Sequence, residues 1–128
     1  MLLLDTHIYL WFVTDDDRLP PDVKATIESE ELVFVSMASF WELAIKVSTG
    51  KMDLPKDIVE MIADCDIINI KILPIRAFHL RHLADMPFIH RDPFDRLLIS
   101  QAMEDGLTLV TVDSNILKYP SVKTMFGG

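Results

Sequence analysis

The sequence predicts an α/β domain built on a mainly parallel sheet, and three observations predict it. Short apolar runs alternate with stretches of helical periodicity along the 128 residues. Most of these runs are continuously apolar rather than alternating, as strands covered on both faces are. No internal repeat, low-complexity tract or Gly/Ser-rich linker breaks the pattern. The length is that of one domain, expected to span 1–128.

Strands are expected at residues 2–4, 32–35, 70–73, 107–112 and 122–125. Helices fill the gaps. Pro20 and Pro21 precede the Val23/Ile27 periodicity, where proline suits a first helical turn. A helix over 38–48 ends before Gly50, and Pro55 opens another that runs to about Asp64. Residues 75–83 carry apolar side chains at helical spacing, and 93–104 stop at Gly106. Trp11 and Trp41 fall on helices among apolar neighbours and are expected in the core or a dimer interface rather than as base-stacking platforms, which usually sit on exposed sheet or groove positions.

Composition narrows the function. The single cysteine, Cys65, excludes an intrachain disulfide framework and a cysteine-rich zinc module, and it suits a reducing cytoplasm. The apolar start MLLLDTHIYLWFVT has no basic leader and is interrupted by Asp5 and His7, so it reads as strand and helix rather than a secretory signal. No run reaches the roughly 18 apolar residues of a membrane span, and a soluble protein without a membrane partner is expected.

A net charge of −8 speaks against nucleic acid, but the charge is uneven. Seven of the twenty acids lie between Asp15 and Glu31, whereas Arg76, Arg81, Arg91 and Arg96, four of the five arginines, share one stretch with His79, His82 and His90. A solvated mixed-charge surface would look the same. The 50% hydrophobic fraction leaves room for apolar surface covered by a partner or a second copy.

Four carboxylates stand out. Asp5 follows LLL and Asp113 follows LTLVTV, two strand ends. In open α/β sheets ligands bind outside the carboxyl ends of the strands, where strand order reverses. Each acid alone could equally be a helix cap or turn residue. Glu42 lies in Ser39-Phe40-Trp41-Glu42, which matches a capping box, with Lys46 as a second ordinary partner one turn on. Asp92 before Pro93 reads as a cap with proline in the first turn. Asp95 shares a helix face with Leu98, Ile99 and Ala102, and a carboxylate at the foot of a buried stripe needs amides or a cation. Carboxylates gathered in one cleft call for protons or a cation, and oxygen ligands select Mg2+ or Mn2+. Such a site suits phosphodiester hydrolysis.

At these residues the sequence resembles a known family. LLLDTH, SFWELAIK with the following GKMDLP, HRDPFDRLLISQA and GLTLVTVDSNILKY together are similar to the PIN-domain toxins of bacterial toxin–antitoxin pairs, the VapC type. The motifs run in order from Leu2 to about Tyr119. The resemblance implies a three-layer α/β/α fold around a parallel sheet and a ribonuclease with an acidic Mg2+ or Mn2+ site. Asp5, Glu42, Asp95 and Asp113 match the family's four acids, with Asp5, Asp95 and Asp113 as the expected metal ligands. Thr6, Thr111 and Ser114 match small hydroxyl positions near them, and Asp92 takes a supporting place. Lys46, Arg91 and Arg96 are the expected contacts to the RNA backbone. A homodimer and a small cognate antitoxin are the implied partners. The motif departs from the family at Val112, where a polar or basic residue is frequent, and this leaves the acids intact.

Other readings fit less well. A dehalogenase-like phosphatase needs a second Asp where His7 stands, and a receiver domain needs an early acidic pair and a late lysine. His79, His82 and His90 lack the further ligands of a zinc site. The alternative from another class is a PIN-like binding module without catalysis, and the four acids argue against it.

Overall fold

The computed structural model describes residues 1–119 and 122–126. Its elements are β1 (Leu2–Leu4), α1 (Thr6–Val13), α2 (Pro21–Ser29), β2 (Val33–Ser36), α3 (Met37–Ser48), α4 (Ile58–Ile67), β3 (Lys71–Leu73), α5 (Ala77–Asp85), α6 (Pro93–Asp105), β4 (Thr108–Thr111), a 3-10 turn (Ile116–Lys118) and β5 (Thr124–Phe126). The strands form one sheet in the order β3-β2-β1-β4-β5, and every ladder is parallel.

Strand alternation divides the core into two layers. Leu2 and Leu4 of β1 and Val33 and Val35 of β2 face a cluster built with Ile8, Val23, Ile27, Leu43, Met61 and Cys65. Leu3 and Leu109 face the other side, against Leu98, Ile99, Ala102 and Ile116. Helices α1 to α4 therefore cover one face and α6, with α5 beside it, the other. This is the three-layer arrangement. Leu3, Leu4, Leu98, Ile99 and Leu109 are wholly buried, and truncating any of them to Ala would cost about 2–5 kcal/mol.

Local signals set most boundaries and moved some. Gly106 ends α6 in the left-handed conformation at φ 67°, and Gly50 turns the chain after α3 at φ 72°. Helix α4 starts at Ile58 rather than at Pro55, because the Asp57 carboxylate accepts the Val59 amide and caps it. Helix α5 starts at Ala77, after Arg76 stays extended and gives its amide to His79 Nδ1. The expected capping box in α3 is absent among the described residues: Ser36, the last residue of β2, accepts the Ala38 amide and caps the helix. Ser39 and Glu42 thus lie inside the helix, and Glu42 is free for other partners. No helix is long and apolar enough to cross a membrane among the described residues.

Candidate functional site

Strand order reverses at β1, whose neighbours are β2 and β4. Asp5 leaves the C-terminal end of β1 and Asp113 lies two residues beyond β4, so the two acids border the same crevice. Asp5 also caps α1, its Oδ1 accepting the Ile8 amide at 2.8 Å. Burial pushes its carboxyl above the usual range, against the pull of the Thr111 hydroxyl and the Ile8 amide, and the Asp113 charge adds to the rise. A cap residue ordinarily sits at the surface; Asp5 is 4% exposed. The capping role is real but does not explain the burial.

Asp95 enters from the first turn of α6. Asp92 caps that helix, accepting the Phe94 amide at 2.8 Å and the Asp95 amide at 3.2 Å. With its backbone tied, the Asp95 side chain is directed among other acids. Burial and then the charges of Asp92, Asp5 and Glu42 push it up to about 7, while His90 pulls the other way. Glu42 comes from α3, buried, with Oε1 accepting the Thr6 hydroxyl at 2.8 Å and Oε2 3.0 Å from Lys46 Nζ. Thr6 Oγ1 also meets Ser39 Oγ at 2.9 Å.

Asp113 behaves differently. Burial would raise it, but hydrogen bonds from His90 and the Asn115 amide outweigh that and hold it below its ordinary value. His90 Nε2 lies 3.0 Å from Asp113 Oδ2 and 3.1 Å from Asp95 Oδ2. Its other nitrogen, Nδ1, accepts the Asp92 amide at 3.1 Å. An amide can donate only to an unprotonated nitrogen, so the ring proton of neutral His90 sits on Nε2 and points at both carboxylates. Donor atoms of His90, Asp95 and Asp113 lie within 4.8 Å of one another, the one such gathering of potential ligands among the described residues.

The four expected acids are thus assembled from β1, α3, α6 and the turn after β4. Thr6 and Thr111 are buried beside them; the Thr111 hydroxyl accepts the Asp113 amide at 2.9 Å. Ser114 stays at the surface. Lys46 is committed to Glu42, whereas Arg91 and Arg96 form no ion pair among the described residues. His90 was not among the expected site residues. Its signal was present in His90-Arg91-Asp92-Pro93, a histidine two residues before a helix cap, close enough to meet the cap's amide. His79 and His82 turn elsewhere, to Asp105 and Glu104, and build no zinc site with His90. Trp41, expected in a core or an interface, is 57% exposed and so is not a core residue. Cavities of about 440 and 520 Å3 flank α4, and none of the four acids lines either.

A parallel three-layer sheet with carboxylates converging at its switch point defines a class of acidic-site α/β domains, and the comparisons with known proteins give it a family. The PIN domain family model matches residues 2–122, and the chain belongs to that family. Ribonuclease VapC22 of Mycobacterium tuberculosis is 26% identical over 118 residues, 90% of this chain and 88% of that protein. Among solved structures, VapBC2 from Rickettsia felis bound to a promoter DNA fragment matches with a TM-score of 0.72 at 16% identity, over 98% of this chain and 97% of that one. FitAcB from Neisseria gonorrhoeae matches at 0.66 and 19% identity, over 99% and 97% of the two chains. At such identities the structures establish the fold alone.

The donor set suits a hard divalent cation. The acids offer oxygen ligands only, and Asp5 and Asp95 are raised because negative charge is crowded and desolvated there. A cation would remove that cost.

Proposed function

We propose that this chain is a Mg2+- or Mn2+-dependent endoribonuclease, the toxin of a toxin–antitoxin pair, with 1–128 acting as one domain. The observation that carries the reading is the convergence of Asp5, Glu42, Asp95 and Asp113 at the switch point, with Asp95 pushed up to about 7 by burial and by its acidic neighbours. Membership of the PIN family and the likeness to a protein named as a ribonuclease support it.

In this reading Asp5, Asp95 and Asp113 hold the cation, and Glu42 completes the site or orients the attacking water. A divalent ion bound there supplies an activated water and offsets charge on the phosphate. The remaining work belongs to the chain. The Thr6 hydroxyl and Lys46 fix the two Glu42 oxygens in place. Asp92 aims Asp95 by holding the helix start. Thr111 braces the turn that carries Asp113, through the Asp113 amide, with Ser114 beside it at the rim. In the same reading Arg91 and Arg96, which have no acidic partner among the described residues, would contact RNA phosphates, with Lys46, already paired to Glu42, as a third contact.

A small antitoxin is the partner expected to silence the enzyme, in a homodimer working in the cytoplasm; a structural neighbour from Klebsiella pneumoniae named as a toxin–antitoxin complex, beside those named VapBC2 and VapBC, supports that pairing. The test is cleavage of a pool of small structured RNAs by partner-free protein with Mg2+, Mn2+ or EDTA, beside Asp5→Asn. Discrete products that need metal and vanish in the variant are expected. Metal-independent cleavage, or equal cleavage by Asp5→Asn, would overturn the reading.

A further inference from the structure

Tyr119 ends the stretch GLTLVTVDSNILKY that carries Asp113. Its ring packs in the layer with Leu3, Leu98 and Leu109 and is 3% exposed. Packing there asks for a ring but not for a hydroxyl, and a buried hydroxyl without partners would be costly. This hydroxyl is fully engaged. It accepts the His90 amide at 2.8 Å and the Ile89 amide at 3.1 Å, and it donates to the Pro87 carbonyl at 3.2 Å.

The position of these partners gives the hydroxyl its importance. Residues 86–92 join α5 to α6 without a helix or strand. Among the described residues, the main chain of 87–90 makes no hydrogen bond to the rest of the molecule except through Tyr119. That segment delivers His90, whose Nε2 meets Asp95 and Asp113. Asp113 and Tyr119 stand at the two ends of one turn: the Asp113 carbonyl accepts the Ile116 amide, and the Ile116 carbonyl accepts the Tyr119 amide. Ile116 is wholly buried and anchors the turn. The turn therefore grips His90 twice, by its ring through Asp113 and by its amide through Tyr119. With Nδ1 also tied to the Asp92 amide, the imidazole is held against the two carboxylates.

We propose that Tyr119 is a positioning residue of the acidic site: its hydroxyl latches the 87–90 segment so that His90 stays bridged between Asp95 and Asp113. Its action runs through His90. The effect on cleavage rests on the ribonuclease reading, whereas the latch itself does not.

The test first reads the segment in EDTA, without RNA. In wild-type protein the His90 amide should exchange with solvent deuterium slowly, although it lies outside any helix or strand. In Tyr119→Phe, which keeps the ring and removes the hydroxyl, it should exchange about tenfold faster. The His90 Nε2 proton should be visible in ring spectra of 15N-histidine-labelled wild type and broadened away by solvent exchange in Tyr119→Phe. His79 is the internal control. Its Nδ1 accepts the Arg76 amide and its Nε2 lies 2.8 Å from Asp105, so its ring proton should persist in both proteins. With Mg2+ and RNA, Tyr119→Phe should lower kcat about tenfold with KM little changed. In a His90→Ala background the same substitution should add nothing, because the residue it acts through is gone.

A His90 amide that exchanges at open-loop rates in wild type overturns the proposal, as does a His90 ring proton unchanged in Tyr119→Phe. Loss of the His79 proton as well would make the hydroxyl a support of the whole fold and also overturns it. So does a loss of kcat that repeats in full in His90→Ala. Failure of the ribonuclease reading looks different: the exchange and ring-proton results would hold in EDTA, with no metal-dependent cleavage by wild-type protein.

Discussion

His90 and Asp113 are joined by a single hydrogen bond of 3.0 Å from Nε2 to Oδ2, and that bond separates the behaviour of two neighbouring carboxylates. Asp113 and Asp95 both approach the same imidazole nitrogen. Asp113, less buried and also bonded to the Asn115 amide, is held below its ordinary range, while Asp95 is pushed up to about 7. Replacing the donor should therefore release Asp113. In His90→Ala, in EDTA, the Asp113 carboxyl carbon should titrate at higher pH than in wild type by NMR. An unchanged titration would show that His90 does not hold it.

Asp95 makes the stability of the metal-free protein depend on pH. Its folded value, about 7, exceeds the unfolded value of 3.8, so between these the folded state holds a proton that the unfolded state has lost. That contribution to stability is present in full below about 4 and is lost as pH rises toward 7. Thermal melts in EDTA should show less decline across this window for Asp95→Asn than for wild type. Parallel curves would contradict the assignment.

The same proton competes with a cation. Below about 7, Mn2+ affinity should fall by roughly tenfold per pH unit, as a ligand must lose its proton to bind. Calorimetric titration at pH 5.5 and 7.5 checks this. Equal affinities would mean that Asp95 is not a ligand.

Asp5 has two duties that substitution can separate. Asparagine still accepts the Ile8 amide and caps α1, whereas alanine cannot. Asp5→Asn should abolish cleavage without loss of stability in EDTA, since it relieves crowded charge. Asp5→Ala should abolish cleavage and also cost about 0.5–2 kcal/mol. Denaturant melts of the two variants distinguish them.

Asp92 is expected to act through Asp95. Asp92→Ala removes the acceptor for two amides at the start of α6 and should cost about 1 kcal/mol. Cleavage should drop, yet by less than in Asp95→Asn. A loss as complete as that of Asp95→Asn would place Asp92 among the ligands instead.

Much of this site was legible because strand ends are local signals. LLL before Asp5 and LTLVTV before Asp113 mark where two strands stop, and parallel topology brings such ends to one edge. The stripe Leu98, Ile99 and Ala102 likewise fixed the face from which Asp95 projects. Misreadings arose where two local motifs compete. Ser39 and Glu42 have the spacing of a capping box, but β2 runs into α3 without a loop, so Ser36 reaches the first free amide before Ser39 can. Pro55 looked like a helix start until Asp57 offered a better cap. His90 lies in the segment between α5 and α6, where no periodicity assigns a direction to its side chain. Its place against Asp113, 23 residues away, is set by tertiary packing.

The most direct test of the metal site is anomalous scattering from crystals grown with Mn2+ near pH 7.5, above the Asp95 value. One peak bounded by carboxylate oxygens of Asp5, Asp95 and Asp113, with His90 Nε2 still hydrogen-bonded rather than ligating, is the expected result. A peak coordinated by His90 Nε2 without Asp5, or no peak at this crevice, would contradict it.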